Sequence, residues 1–244
     1  MVKLLVGVLV FVINQIYHDR PIPRFYVLET VARVPYFSYL SVLHLYETLG
    51  LWRRVEWLKV HFAESWNELH HLLIMEALGG NQFWGDRLLA RSVALLYYWI
   101  IVALYIISPK SAYHFMELVE EHAYHTYDLF LMQEGETLKA QPAPPVALEY
   151  YQTGDLYLFD AFQTAHLPQE RRPVINNLYD VFVAIRDDER EHVKTMVACQ
   201  QADQTGILGN KLLRELQPSE LQSNTIAEPV LLEKAQEKES VTHP

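Results

Sequence analysis

Glycine and proline interrupt this chain at only a few places, and their placement limits the fold more than any other feature. Only 9 of the 244 residues are glycine, and long stretches contain neither residue type. Such stretches, with apolar residues at helical spacing, predict long helices rather than strands. Pro35 lies inside the first of them, where a proline predicts a kink. The predicted helices cover residues 25–48, 52–78, 84–107, 112–131 and 174–201.

The two ends of the chain and one internal segment differ from this helical part. Residues 1–20 form a hydrophobic arm. Its apolar run is shorter than the about 20 residues that span a bilayer, and no small-residue cleavage site of a signal peptide follows it. Residues 133–173 contain several prolines and predict a connecting insert. Residues 202–244 are polar, which predicts a disordered tail. We expect one domain at 21–201, which includes the insert.

Charge and cysteine content exclude two classes of protein. A formal net charge of -10 argues against a nucleic-acid-binding surface, because such a surface requires a basic patch. Cys199 is the only cysteine, so disulfide scaffolds and cysteine-ligated zinc or iron–sulfur sites are excluded. Any metal chemistry must therefore use oxygen and nitrogen ligands.

One apolar segment, residues 92–107, allows two interpretations of its relation to a membrane. It is uncharged and almost wholly apolar, and its length reaches the lower edge of what spans a bilayer. Alternatively, the helix lies in the interface of one leaflet, with Arg87 and Arg91 at the lipid headgroups. A span would separate helices that must meet in a bundle, so we favour the second, monotopic interpretation.

Acidic residues on apolar helix faces are the most informative anomaly, because a buried carboxylate without a partner is energetically expensive. The candidate ligands are Glu29, Glu68 with His71, Glu120, and Glu189 with His192. In both E-x-x-H pairs, the i, i+3 spacing points the two side chains the same way. Each pair can bind one metal ion, while Glu29 and Glu120 can bridge from the other two helices. One Glu from each of two helices and an E-x-x-H from each of two others is the ligand set of ferritin-like di-iron bundles.

The spacing alone is weak evidence, since chance supplies about one E-x-x-H in a chain with this many Glu and His residues. The alternative is that these residues lie on ordinary solvated or salt-bridged helix faces. Placement of both motifs on apolar faces favours the metal site, and carboxylates with imidazoles suit iron or manganese. We predict an all-α, ferritin-like antiparallel four-helix bundle of long helices with additional short helices.

Three residues beside the candidate ligands suggest supporting roles. Asn67 and Asp188 each immediately precede a proposed Glu ligand, and they could hydrogen-bond the ligating histidines across the bundle. As surface residues they would need no such explanation. Tyr127 lies seven residues after Glu120, on the same helix face. It is a candidate catalytic tyrosine that donates an electron, with an ordinary core tyrosine as the alternative.

Four segments resemble the signature segments of the alternative oxidases. They read LET at 28–30, NELHH at 67–71, EEHA at 120–123 followed by Thr126 and Tyr127, and RDDEREH at 186–192. The resemblance covers roughly residues 20–200. The insert PAPPVALEYYQTGDLYLFDAFQT at 142–164 is more similar to the plastid terminal oxidase branch, which includes cyanobacterial members.

The resemblance implies roles for particular residues. It implies a cofactor of two iron ions, held by Glu29, Glu68, His71, Glu120, Glu189 and His192. It also implies a quinol pocket beside the metals, lined by Arg24, Leu28, Val119, Ala123 and Thr126. His122 stands where the family usually has a Glu, so inhibitor preferences are expected to differ.

The activity implied by the resemblance is a quinol oxidase. Two molecules of plastoquinol or a related quinol would reduce O2 to water without proton pumping. The protein would be a homodimer in one lipid leaflet, in a cyanobacterial thylakoid or cytoplasmic membrane. Two alternatives share the ligand pattern: a di-iron hydroxylase or desaturase, and a non-enzymatic ferritin-like iron-binding protein.

Overall fold

The computed structural model describes residues 15–51, 53–153 and 172–205, together with Gly7, Phe11 and Ile13. In these residues the chain forms helices and no strand, which confirms the predicted all-α class. The helices are α1 (Pro21–Ala32), α2 (Val34–Thr48), α3 (Val55–Ala77), α4 (Trp84–Ile107), α5 (Pro109–Lys139), α6 (Pro145–Leu148) and α7 (Leu178–Thr205), with a π-helix at Glu149–Thr153. Most of the predicted arm, residues 154–171 of the insert, and the tail beyond Thr205 lie outside the described residues.

The predicted kink at Pro35 is a complete break between α1 and α2. Pro35 occupies the first turn of α2, where a proline is tolerated because the first amides of a helix have no intrahelical partner. It has no amide hydrogen to donate to the carbonyl of Val31, which accepts from Arg33 instead. One predicted helix therefore becomes two, with the junction at Arg33, four residues after Glu29.

Two glycines end α3 as the sequence predicts. Gly79 adopts a positive φ of 84°, a conformation that costs glycine no steric strain. The amide of Gly80 then donates to the carbonyl of Met75 at 2.9 Å. A Cβ on Gly80 would lie 2.7 Å from that of Tyr26, so this glycine also lets α1 approach the end of α3.

The helix α5 extends eight residues beyond its predicted end at Leu131, into the segment predicted to be a connection. Gly135 does not end the helix, because it serves as a contact point. A Cβ at that position would lie 3.3 Å from the ring of Tyr179 on α7. The last helix begins at Leu178 rather than at residue 174, because Asn177 accepts a hydrogen bond from the amide of Asp180 and caps the helix there.

Two clusters of buried apolar residues lie on either side of the candidate ligands along every long helix. The first cluster includes Phe25, Tyr127 and Phe182, and the second includes Tyr36, Tyr113 and Met196. Going along the chain, α1–α2 and α7 pass from the first cluster to the second, whereas α3 and α5 pass from the second to the first. The four long elements therefore form an antiparallel four-helix bundle, as predicted, with the acidic residues between two aromatic cores.

The helix α4 packs on the outside of this bundle, against α1, α2 and α5. Its outer face carries large exposed apolar side chains, which are Trp84, Leu88, Leu89, Val93, Leu95, Leu96, Trp99, Ile100, Ile106 and Ile107. Among the described helices it is the one whose length and composition would allow it to cross a membrane. Only 17% of its most apolar window is buried in the protein, so this face has no protein partner among the described residues.

Candidate metal centre

The six predicted ligands meet in the middle of the bundle and are all buried, with at most 2% of any of these residues exposed. Their ligand atoms form two overlapping groups, and within each group every atom lies within 4.8 Å of the others. The two groups are Glu29, Glu68, His71 and Glu189, and Glu68, Glu120, Glu189 and His192. The geometry therefore provides two adjacent sites, each of which could hold a metal ion.

Glu68 and Glu189 belong to both groups. The Nδ1 atom of His71 lies 3.3 Å from one oxygen of Glu189, and Nδ1 of His192 lies 3.5 Å from the other oxygen. One oxygen of Glu68 similarly faces His192 at 2.9 Å, and the other faces His71 at 3.8 Å. Each of these carboxylates can thus bridge two metal ions.

This arrangement differs from the sequence interpretation, in which Glu29 and Glu120 bridge. The structure instead places each of those two residues in one group only. Glu68 and Glu189 each have oxygens near both His71 and His192, whereas Glu29 lies near His71.

The carboxylate oxygens lack the donors that buried polar atoms normally have. Of the eight oxygens of the four candidate carboxylate ligands, six have no hydrogen-bond partner among the described residues: Glu29 Oε2, both of Glu68, Glu120 Oε2 and both of Glu189. An uncompensated buried carboxylate is costly. Two divalent cations would neutralise the four carboxylates and coordinate these oxygens, so the residues fit a di-metal cofactor.

Without cations, protons must compensate for the crowding of acids. Burial, reinforced by repulsion from Glu68 and Glu189, raises the pKa of Glu29 well above its usual range, and the pKa of Glu120 rises for the same reasons. Burial opposes charging of the two histidines, but the nearby negative charges of Glu68 and Glu189, and the contact of His71 with Asp188, outweigh it and raise the pKa of both His71 and His192.

A hydrogen-bonded network fixes the orientation of His71. Nδ1 of its ring faces the acids, while Nε2 lies 3.2 Å from Asp188 Oδ2. The same carboxylate oxygen accepts from Tyr151 at 2.9 Å and from the amide of Asn67 at 2.9 Å. A carboxylate behind a histidine ligand fixes the ring tautomer and orientation. The structure thus gives Asp188 the contact suggested by the sequence, whereas Asn67 contacts Asp188 rather than a histidine.

Two tyrosines donate hydrogen bonds to Glu29 and Glu120, the unshared carboxylates, which each belong to only one of the two groups. The arrangement is crossed, because each tyrosine follows one of these acids in sequence and donates to the other. The hydroxyl of Tyr127 on α5 donates to Glu29 on α1. The hydroxyl of Tyr36 on α2 donates to Glu120 on α5 at 2.6 Å. Sequence reasoning identified Tyr127 but assigned no role to Tyr36. The signal was present, since Tyr36 follows Glu29 by seven residues just as Tyr127 follows Glu120.

The predicted quinol-pocket residues lie along α1 and α5 beside this centre. Arg24 is half-buried, its Nε atom has no hydrogen-bond partner among the described residues, and burial lowers its pKa. Burial also lowers the pKa of His122, with a further contribution from the charge of Arg24, so the two side chains are close. Thr126 donates to the carbonyl of His122 at 2.9 Å. Leu28, Val119 and Ala123 are partly buried.

The model of the alternative oxidase family matches residues 2–201 of this chain. The chain belongs to the alternative oxidase family. This confirms the resemblance drawn from the four segments, each of which contributes at least one residue to the metal centre.

Comparison with individual relatives distinguishes the plastid branch from the mitochondrial one. The chain is 63% identical over 206 residues to the chloroplastic/chromoplastic ubiquinol oxidase 4 of Arabidopsis thaliana, covering 82% of this chain and 59% of that protein. It is 32% identical to the mitochondrial ubiquinol oxidase 2 of Glycine max, covering 69% of this chain and 45% of that protein. This family member thus resembles the plastid branch more, as its insert suggests. It spans roughly half of the length of the relatives it matches.

Proposed function

We propose that this protein is a quinol oxidase that reduces O2 to water at a centre of two iron ions. The observation that carries the proposal is the buried set of four carboxylates and two imidazoles, whose unsatisfied oxygens fit two adjacent cations. Membership of the alternative oxidase family and the names of the relatives support quinol as the reductant. Two quinols would give four electrons and four protons to one O2, producing two waters.

The ligands would be Glu29, Glu68, His71, Glu120, Glu189 and His192. Bound iron would supply the redox capacity for passing electrons from quinol to O2. Asp188 holds His71 in one tautomer, while Tyr36 and Tyr127 hold protons at their hydroxyls and orient the two unshared carboxylates. The aromatic clusters on both sides exclude bulk water, which protects the reaction from side products.

Quinol would bind between α1 and α5, in a pocket lined by Arg24, Leu28, Val119, Ala123 and Thr126. Arg24 supports this because its Nε is a buried donor with no hydrogen-bond partner among the described residues. A quinol head-group oxygen would satisfy it. The short distance along α1 from Arg24 to Glu29 would place the quinol beside the metals.

The exposed face of α4 would lie in one leaflet of a membrane. Its row of large apolar side chains, with Arg87 and Arg91 near the start, has the composition of an interfacial helix. α4 packs against α1, α2 and α5, and two of these carry Glu29 and Glu120. Spanning the bilayer would require the bundle to move into hydrocarbon with it. This arrangement would let quinol enter from the lipid.

The first experiment is oxygen uptake by purified iron-loaded protein with a synthetic quinol. We expect uptake at one O2 per two quinols, with no oxygen returned on adding catalase, because the product is water. Hydroxylation of an added apolar substrate would instead indicate a hydroxylase or desaturase. Iron oxidation without quinol turnover would indicate a ferritin-like protein.

The second experiment tests the pocket through Arg24→Ala. We expect normal iron content and helicity, but at least a tenfold loss of quinol-dependent oxygen uptake, the effect of about 1.4 kcal/mol at the transition state. Lys110→Ala, which changes an exposed residue on α5, serves as the matched control. Unchanged turnover in Arg24→Ala would place the quinol elsewhere.

The third experiment tests the membrane arrangement. Gly85→Cys and Lys110→Cys place thiols at exposed positions near the two ends of α4, while the native Cys199 is fully buried. An impermeant thiol reagent should reach both positions from the same side of sealed vesicles. Labelling from opposite sides would identify α4 as a transmembrane span.

Three finer expectations accompany this proposal. We expect plastoquinol as the quinol because the plastid branch is the more similar one, and this can be tested by comparing turnover of plastoquinol and ubiquinol analogues. A homodimer is expected, and light scattering of the detergent-solubilised protein measures it. A cyanobacterial thylakoid or cytoplasmic membrane remains a prediction, to be checked by fractionation of the source cells.

A further inference from the structure

A surface groove of about 400 Å³ lies between the α1–α2 junction and α4. It is lined by Thr30, Arg33, Val34, Phe37, Arg91, Ala94, Leu95 and Tyr98. None of these is a metal-centre residue or a predicted quinol-pocket residue, and none is acidic. The groove opens beside the exposed apolar face of α4, since Leu95 is 66% exposed.

The two arginines of the groove have no carboxylate partner among the described residues. The arginine ion pairs found there involve other arginines, such as Arg20 with Asp86 and Arg186 with Asp128. Two unpaired cations in one groove are unexpected in a protein whose net charge is -10. Their mutual repulsion is reduced if an anion lies between them.

An aromatic stack holds one of these arginines in position. The guanidinium of Arg33 lies 5.9 Å from the centre of the Phe37 ring, a distance at which a cation–π attraction operates. Phe37 in turn stacks on Tyr98 of α4, with ring centres 5.6 Å apart. The Tyr98 hydroxyl donates to Ser41 of α2 at 3.1 Å. The wall of the groove is thus built from contacts between α2 and α4.

We propose that this groove binds the phosphate head group of an anionic membrane lipid. Arg33 and Arg91 would contact the phosphate, and the acyl chains would continue along Leu95 and the apolar face of α4. Charge complementarity selects an anion, and the adjoining apolar face selects one that carries hydrocarbon. The inference rests on the proposed membrane-surface function, and it adds a defined lipid site to a general apolar contact. A protein with a net negative charge is not attracted as a whole to an anionic membrane surface. Attraction to such a membrane must therefore come from a local basic site on the protein.

The test compares binding to phosphatidylcholine vesicles with binding to vesicles that also contain phosphatidylglycerol. The iron-loaded full-length protein should prefer the second kind. Arg33→Gln combined with Arg91→Gln should weaken binding to the phosphatidylglycerol vesicles at least tenfold and remove the preference for them over phosphatidylcholine vesicles. General attraction to an anionic surface would make the loss of any nearby basic residue cost a similar amount. A groove site instead predicts that Arg91→Gln loses more than Lys110→Gln, which removes an exposed charge outside the groove.

A second variant separates the groove from charge alone. Ala94→Phe leaves the net charge unchanged but fills the groove, because Ala94 lies in its lining. We expect it to lose the preference for phosphatidylglycerol while its helicity, iron content and oxygen uptake with detergent-solubilised quinol stay normal. If Ala94→Phe keeps the preference, the lipid does not bind in the groove. If it loses the oxygen uptake, the groove is a quinol passage, and the lipid assignment is wrong.

The remaining outcomes distinguish this inference from the proposed function. Equal binding to both kinds of vesicle would overturn the lipid site and leave the membrane-surface function intact. Failure to bind either kind would overturn both. Inorganic phosphate is the soluble probe. If it binds without vesicles, and with the same dependence on Arg33 and Arg91, the groove is a free-anion site and not a lipid site.

Discussion

The candidate metal centre has two halves, one with Glu29 and His71 and the other with Glu120 and His192. The two halves share sequence spacings but differ in their surroundings. In both halves a tyrosine follows the unshared Glu by seven residues, and an amide or acid residue precedes the E-x-x-H. Asp188 nevertheless contacts His71, whereas its counterpart Asn67 donates to Asp188 and Tyr150.

Part of this difference comes from the π-helix at Glu149–Thr153, whose described hydrogen bonds reach the half that contains His71. Its tyrosines, Tyr150 and Tyr151, bring two hydroxyls to the Asn67–Asp188 pair. The His192 ring lies instead beside the ring of Tyr36, with centres 5.4 Å apart. Repeated ligand spacing therefore gives two similar metal positions, and the described contacts around their histidines differ.

The largest expected effect concerns the two carboxylates that both halves share. Glu68→Ala or Glu189→Ala should reduce iron from about two per chain to almost none and abolish oxygen uptake, because each removes a ligand from both metals. Glu29→Ala and Glu120→Ala should each leave about one iron. Elemental analysis alongside circular dichroism measures this. Full iron occupancy in Glu68→Ala or Glu189→Ala would contradict the assignment.

The next effect tests the carboxylate that contacts His71 in one half. Asp188→Ala should weaken iron binding about 10- to 100-fold, since it removes the carboxylate that orients His71. Asp187→Ala is the matched control, because Asp187 pairs with Arg186 and lies outside the network. Iron affinity can be measured by competition with a chelator. Equal losses in the two variants would show that the contact with His71 does not matter.

The pH dependence of stability compares the metal-free and metal-loaded centres. His71 and His192 have raised pKa values, so the stability they contribute is complete below pH 6.5 and is lost as the pH rises through their folded values. Glu29 and Glu120, also raised, lose their contribution in the same direction. Glu189 has a lowered pKa, so its contribution is lost only on acidification.

The metal-free protein should therefore melt at a lower temperature at about pH 8 than at about pH 6. Iron replaces the protons, so the loaded protein should show a smaller dependence on pH. Calorimetry of both forms checks this. If the melting temperature of the metal-free protein instead rises from pH 6 to pH 8, bound protons do not neutralise the buried carboxylates as the structure indicates.

The smallest effect concerns the crossed tyrosines. Tyr36→Phe and Tyr127→Phe each remove one buried hydrogen bond to an unshared carboxylate, and each should cost about 1–2 kcal/mol of stability in the loaded protein. Tyr39→Phe is the control, since the Tyr39 hydroxyl donates to the carbonyl of Ala112 instead. If Tyr127→Phe also abolishes turnover while Tyr36→Phe does not, Tyr127 has the catalytic role that its sequence position suggested.

Helix length, the apolar faces and the ligand set could be predicted from the sequence because they depend on local spacing. The predicted bounds of α4 match the structure, and all six predicted ligands meet at one centre. Helix ends were less predictable where a tertiary contact decided them. Gly135 remains inside α5 because α7 packs against it through Tyr179.

Which carboxylates lie near both histidines and which tyrosine reaches which acid were decided only by the tertiary structure. Both depend on how the four helices are placed relative to one another, and sequence spacing does not contain that information. Periodicity alone determined that Glu29, Glu68, Glu120 and Glu189 face inward, because one face of each helix must be buried. Their pairing across the bundle required the antiparallel packing of four helices, which brings together residues more than a hundred positions apart.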